Sequence, residues 1–100
     1  MVGVMITPDT IVTASKDQVS CDLAGEAAIL NLKNSGYYGL DEIGARVWHL
    51  IEEPRLVSAV RDAIVDEYDV DAEQCERDLI ELLQRLASEG LVEVEVEPAA

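Results

Sequence analysis

Side chains that could carry out chemistry are few in this sequence and lie far apart. The only histidine, His49, follows the only tryptophan, Trp48, within a helical pattern, where a surface histidine is the usual interpretation. Cys21 and Cys75 have no further cysteine or histidine at a metal-ligating spacing, and neither has the context of an activated nucleophile. We therefore predict two reduced thiols that fill small spaces in the core, and no metal site.

Other catalytic motifs are missing from the sequence as well. No serine stands in the Gly-x-Ser-x-Gly turn that exposes a nucleophile, and no glycine-rich loop fits a phosphate-binding fingerprint. Asp69-Val70-Asp71 lacks the further ligands and the central glycine of a calcium-binding EF-hand loop. We therefore predict that the chain is not an enzyme and that it binds no cofactor.

The charge of the chain limits the partners that it can bind. It has 21 acidic and 7 basic residues, which gives a formal net charge of -14. Such a field repels nucleic acid and attracts basic partners, although solubility alone is an equally good explanation. No apolar run approaches the ~20 residues of a membrane span, and the N-terminus lacks the pattern of a signal peptide. We predict a cytoplasmic protein that binds neither nucleic acid nor a membrane.

A strand that leads directly into a helix is the strongest local pattern. Tyr37 and Tyr38 favour extended backbone, and the preceding Asn34-Ser35-Gly36 is a turn signal. Asp41 can cap the following helix, whose apolar residues recur at helical spacing as far as Ile51. This stretch organises the rest of the predicted fold.

The remaining patterns complete an α+β domain. Residues 18–23 alternate apolar with polar, which predicts a strand with one buried face, and residues 27–32 form the next strand. With the tyrosine strand they make a three-stranded antiparallel sheet whose third strand lies at the edge. Two more helices follow at about residues 55–68 and 72–89, and residues 91–97 fit either a last strand or a frayed tail. This outline is winged-helix-like.

The third helix carries two neighbouring apolar lines. The first consists of Cys75, Leu79, Leu82 and Leu86, and the second of Ile80, Leu83 and Ala87, led by Glu76. The pattern leaves open whether one line flanks a groove or both are buried. Because this helix is mainly acidic, it would gain little from phosphate contacts, which argues against a DNA-binding regulator. An edge strand beside an apolar helix face instead suits an extended, basic peptide that adds itself as a strand.

Several segments resemble PqqD-like domains, which are also called RiPP recognition elements (RiPP, ribosomally synthesised and post-translationally modified peptide). They are residues 19–26, 29–32 and 36–48, followed by weaker matches as far as Gly90-Leu91-Val92. The resemblance covers about residues 18–92, between an N-terminal extension (1–17) and an acidic C-terminal tail (93–100). The Tyr-Tyr-Gly-Leu form is most similar to the freestanding leader-binding subunit of lasso peptide biosynthesis.

The resemblance implies non-catalytic binding of the leader segment of a precursor peptide. In lasso systems the leader carries a Tyr-x-x-Pro motif and lies as an added antiparallel strand, and a separate leader peptidase and a cyclase then act on the precursor. Within the family, a peptide chaperone for a radical enzyme is the alternative. By position, the peptide-binding residues would be Gly36, Tyr37, Tyr38, Gly39 and Leu40 on the strand, and Glu76, Asp78, Leu79, Ile80, Leu83 and Ala87 on the helix.

Overall fold

The computed structural model describes residues 5–95, apart from the side chain of Leu23, and shows a mixed α+β fold. Its elements confirm the predicted three-stranded sheet and the three helices, and of the two alternatives for the C-terminal segment the structure shows the strand. In chain order they are β1 (Ile11–Ala14), β2 (Gln18–Leu23), β3 (Glu26–Asn31), β4 (Tyr37–Leu40), α1 (Glu42–Leu50), β5 (Arg55–Leu56), α2 (Val57–Tyr68), α3 (Ala72–Ser88) and β6 (Val92–Glu95).

The strands form two antiparallel sheets. One has the order β2-β3-β4, as predicted, and the other, which was not predicted, has the order β5-β1-β6. In the second sheet β1 pairs with β6 from Ile11 opposite Glu95 to Ala14 opposite Val92. Residues at both ends of the chain therefore belong to one sheet, and Val12 of β1 is fully buried.

The core is one cluster of buried apolar side chains that joins both sheets to the three helices. Trp48 of α1 is nearly inaccessible, and it is the largest side chain in this cluster. The other fully buried side chains come from α2, from α3, from both sheets and from residues just after α1 and α3: Val12, Ile29, Ile51, Val57, Val60, Ile64, Leu83, Leu86 and Leu91.

The orientation predicted for β2 is wrong. Val19 and Cys21 were expected to face the core, but both are exposed. The reason lies in β3, where Ala27 and Ile29 are buried, because the register places Ser20 opposite Ile29 on that side of the sheet and Val19 opposite Leu30 on the other. Ser20 and Asp22 on the inner side are exposed as well, because β2 is the edge strand of this sheet, so its alternation does not mark a buried face.

Local hydrogen bonds and backbone conformation determine where α1 begins and where α3 begins and ends. The Asp41 carboxylate accepts a hydrogen bond from the backbone N–H of Gly44 at 2.8 Å, and the Asp71 carboxylate accepts one from Gln74 at 2.9 Å. At the other end of α3, Gly90 adopts a φ of 75°, which ends the helix. The Asn31 side-chain amide donates to the Glu89 carbonyl at 2.6 Å, which ties the end of α3 to the end of β3.

A matched pair of valine substitutions tests whether β1 belongs to the folding unit. Val12 and Val19 both lie in strands, but Val12 is 0% exposed and Val19 is 55% exposed. We expect Val12→Ala to lower the free energy of unfolding by about 1–3 kcal/mol, because it removes buried apolar volume. Val19→Ala should change it by less than about 0.5 kcal/mol. Equal effects in urea denaturation would mean that the segment before residue 18 is dispensable for folding.

His49 links α1 to β2 and makes stability depend on pH. Its Nε2 lies 2.9 Å from an Asp22 oxygen, and its Nδ1 lies 3.3 Å from a Glu52 oxygen. Burial lowers the pKa of His49, but the hydrogen bonds to Asp22 and Glu52 outweigh that effect, and the pKa is raised above its usual value. The resulting stabilisation is present below the unfolded-state pKa and is lost as the pH rises through the higher folded-state pKa.

We therefore expect His49→Gln to be more destabilising at about pH 5.5 than at about pH 8.5, on either side of the unfolded-state pKa of ~6.5. The difference should stay below about 1 kcal/mol, because the pair is partly exposed to solvent. Urea denaturation of both proteins at the two pH values measures it. A variant that is equally destabilised at both would show that the charged form of His49 contributes nothing.

Candidate binding groove

A groove of about 640 Å³ lies between the end of β4 and the length of α3. Its floor is apolar and comes from Leu40, Ile43, Val47, Ile64 and Leu79. Within residues 5–95, β4 pairs with β3 on one side only, so its second edge carries unpaired backbone groups beside this groove. Such an edge can accept a further strand.

The strand wall contains two of the five predicted strand residues. Gly39 and Leu40 line the groove, and a side chain at Gly39 would have nothing within 4 Å. Tyr38 is half-buried against the core, whereas Tyr37 is exposed on the opposite face of the sheet. Gly36 lies in the preceding turn, where its carbonyl accepts a hydrogen bond from the Asn31 N–H.

The helix wall differs from the one that the sequence suggested. Asp78 and Leu79 line the groove, but the other four predicted helix residues do not. Leu83 is fully buried, and a Glu76 oxygen lies 2.6 Å from Nη1 of Arg61 in α2. Ile80 and Ala87 are half-buried against the core. The side of α3 that faces β4 instead presents Gln74, Cys75, Asp78, Glu81, Leu82 and Arg85.

Sequence reasoning missed several of these residues for an identifiable reason. Cys75, Leu79 and Leu82 form the apolar line that was noticed and interpreted as the core seam of α3. In the structure all three line the groove, Leu79 as part of its buried floor and the half-buried Cys75 and Leu82 on its wall, and of the three only Leu79 had been predicted as a contact. The signal was therefore present, but periodicity does not distinguish a groove wall from a core seam when both are apolar.

The groove is lined by more acidic than basic side chains. Its carboxylates are those of Asp41, Asp71, Asp78 and Glu81, and Arg85 is its one basic residue within the described part of the chain. Arg85 lies 3.4 Å from a Glu81 oxygen, so part of its charge is offset locally. A basic ligand would therefore find a complementary rim above an apolar floor.

Cys75 is the one thiol in this groove, and it is not an activated nucleophile. Burial is the main cause that raises its pKa, and the nearby Asp78 carboxylate adds to that effect. Cys21, by contrast, is exposed on β2, so the prediction that both thiols fill the core is wrong for Cys21. In residues 5–95 no group of histidine, cysteine and carboxylate side chains is arranged to hold a metal ion.

Comparison with known proteins identifies the family. A sequence profile of PqqD, described as coenzyme PQQ synthesis protein D, matches residues 26–92. The chain belongs to the PqqD family. This confirms the resemblance that its strand and helix motifs suggested. No protein with a curated function matches the sequence at a significant level.

Three solved structures are similar to this PqqD-family chain. TbiB1 in complex with the TbiA(beta) leader peptide is 38% identical, with a TM-score of 0.77, and the match covers 85% of this chain and 99% of that one. Lasso peptide synthetase B1 complexed with its leader peptide is 17% identical, with a TM-score of 0.71 and coverage of 82% and 96%. A PqqD truncation of Methylobacterium extorquens PqqCD, a stand-alone RiPP recognition element, is 18% identical, with a TM-score of 0.73 and coverage of 88% and 94%. The last two similarities show the fold alone.

None of the helices in the described part of this PqqD-family chain is long and apolar enough to cross a membrane.

The two cysteines should differ in their reactivity. We expect Cys21 to be alkylated by iodoacetamide at least several times faster than Cys75, because Cys75 is half-buried and its raised pKa leaves less thiolate. Peptide mass spectrometry after short labelling times measures both rates in one sample, and the unfolded protein is the control. Equal rates in the folded protein would mean that Cys75 is more open to solvent than this groove allows.

Proposed function

We propose that the chain recognises the leader segment of a ribosomally synthesised precursor peptide, without catalysing a reaction itself. The observation that carries this proposal is the free edge of β4 beside the apolar groove. A peptide strand added to this edge would gain main-chain hydrogen bonds, and every second side chain would enter the groove. The similarity to TbiB1, which was solved with a leader peptide, supports the same assignment.

The preferred leader would combine apolar and basic side chains. Apolar residues would pack on Leu40, Ile43 and Leu82, and basic residues would lie near Asp71 and Asp78 on the rim. A Tyr-x-x-Pro motif, as in lasso leaders, would supply two such apolar side chains. The proposed contact residues are those that line this groove, together with the backbone of Gly36–Leu40.

The pathway that fits best is the biosynthesis of a lasso peptide. In this proposal the chain acts in the cytoplasm, holds the leader and presents the precursor to a separate leader peptidase, after which a cyclase closes the ring. Residues 18–92 would be the leader-binding domain, with β1 as a structural addition to it. A peptide chaperone for a radical enzyme is the second candidate, and the description of the matched family as a coenzyme PQQ synthesis protein favours it.

Titration with the leader peptide encoded beside the gene tests the proposal directly. We expect saturable binding in the micromolar range or tighter by calorimetry, and no binding of the core peptide from the same precursor. The bound leader should also slow alkylation of Cys75, which lines the groove, but not of Cys21, which lies outside it. Absence of binding to leaders from both lasso and radical-enzyme precursors would refute the proposed function.

Two alanine substitutions on α3 distinguish the two possible helix walls. Leu82 and Ile80 are both half-buried, but only Leu82 lines the groove. We expect Leu82→Ala to weaken leader binding about tenfold or more, which corresponds to about 1.4 kcal/mol, and Ile80→Ala to change it less than about twofold. Melting temperatures of both variants serve as the control for folding. The opposite ranking would mean that the leader contacts the side of α3 that was predicted from the sequence, which contains Ile80.

A further inference from the structure

The β2-β3-β4 sheet has a second surface that carries a row of exposed apolar side chains. The register places Val19 opposite Leu30, and Leu30 opposite Tyr37. Their exposed fractions are 55%, 41% and 70%, respectively, although each is a large hydrophobic residue in a strand. We call this surface the outer face, and it consists of Val19, Cys21, Ala28, Leu30, Tyr37 and Gly39.

The outer face is almost free of charge in a strongly acidic chain. Strand alternation adds only one carboxylate to it, that of Glu26 at the start of β3, among the side chains that the structure describes. A row of exposed apolar side chains on a monomeric protein often marks an interaction site.

We propose that the outer face is the docking surface for the enzyme that processes the bound leader. The partner would present an apolar patch bordered by basic side chains, because the chain that carries this apolar face has a net charge of -14. This inference rests on the proposed function, and it adds to it a surface on the opposite side of β4 from the groove. Leader and enzyme can therefore be bound at the same time.

Charge favours such a partner over a second copy of the chain. Two copies would bring together a net charge of -14 on each side. A processing enzyme needs only a transient contact, and a basic border would be attracted by the charge that keeps two copies apart.

The position of the outer face makes docking depend on the bound leader. A leader strand on the free edge of β4 would widen the sheet by about 4.8 Å, and its outward side chains would lie beside Tyr37 and Gly39. The enzyme would then contact the sheet and the leader together and would bind the loaded chain more tightly than the empty one. By linkage, the enzyme would raise the affinity for the leader by the same factor.

A pair of leucine substitutions tests this surface. Leu30 and Leu56 both lie in strands and are both 41% exposed, but Leu56 belongs to β5 in the other sheet. With the purified leader peptidase encoded beside the gene as the probe, we expect Leu30→Lys to weaken its binding to the leader-saturated chain tenfold or more. Leu56→Lys should change that binding less than twofold. Both variants should bind the leader alone within twofold of the parent chain.

Each other outcome has a distinct meaning. Unchanged enzyme binding by Leu30→Lys would show that the outer face is not the docking surface, as would equal enzyme affinity for the loaded and empty parent chain. A dimer of the parent in sedimentation that Leu30→Lys dissociates would assign the face to a second copy instead. If Leu30→Lys lowers the melting temperature, Val19→Lys in the same row repeats the test. Failure of the parent chain to bind any leader would refute the proposed function itself.

Discussion

The packing of α3 against α2 decides which side chains of α3 face β4. Leu83 and Leu86 are buried in the core, and Arg61 of α2 contacts Glu76 on the adjacent side of α3. Consecutive helix residues differ by about 100° around the axis, so Leu82 is turned away from the direction of Leu83. With α3 in this rotation, Leu82 and Asp78 reach the groove, and Glu76 does not. A rotation by one residue would bury Leu82 and place different chemistry beside the free strand edge.

The register of β3 imposes a similar constraint on β4. Because Ala27 and Ile29 are buried, their partners Leu40 and Tyr38 face inward, while Tyr37 and Gly39 face outward. A slip of one residue would exchange the two faces. The groove and the outer face are therefore the two sides of one short strand, and its unpaired edge is the line along which they meet. Anything that binds this edge as a strand becomes part of both surfaces.

Local features were predictable from the sequence, and pairings between distant segments were not. The cap at Asp41 depends on neighbouring residues, and it lies where the sequence indicated it. The β1-β6 pair joins two strands of four residues from opposite ends of the chain, and neither carries a local signal for the other. The same limit explains the two faces of β2 and the two apolar lines of α3. In α3 the periodicity is correct, but the choice of the buried side depends on the neighbouring elements, and in β2 the alternation is present although residues 19–22 are all exposed.

An unpaired edge and an uncovered apolar face are both hazards for aggregation, and the net charge gives a physical reason why one chain can keep both. Two copies that meet along β4 or across the outer face must also bring their acidic surfaces together, which opposes self-association. A basic peptide or a partner with a basic border gains from the same field. Solubility and partner attraction, which the composition alone could not separate, are therefore two consequences of one property. In the groove this negative charge can contribute to specificity, because the carboxylates of Asp71 and Asp78 lie beside the apolar floor.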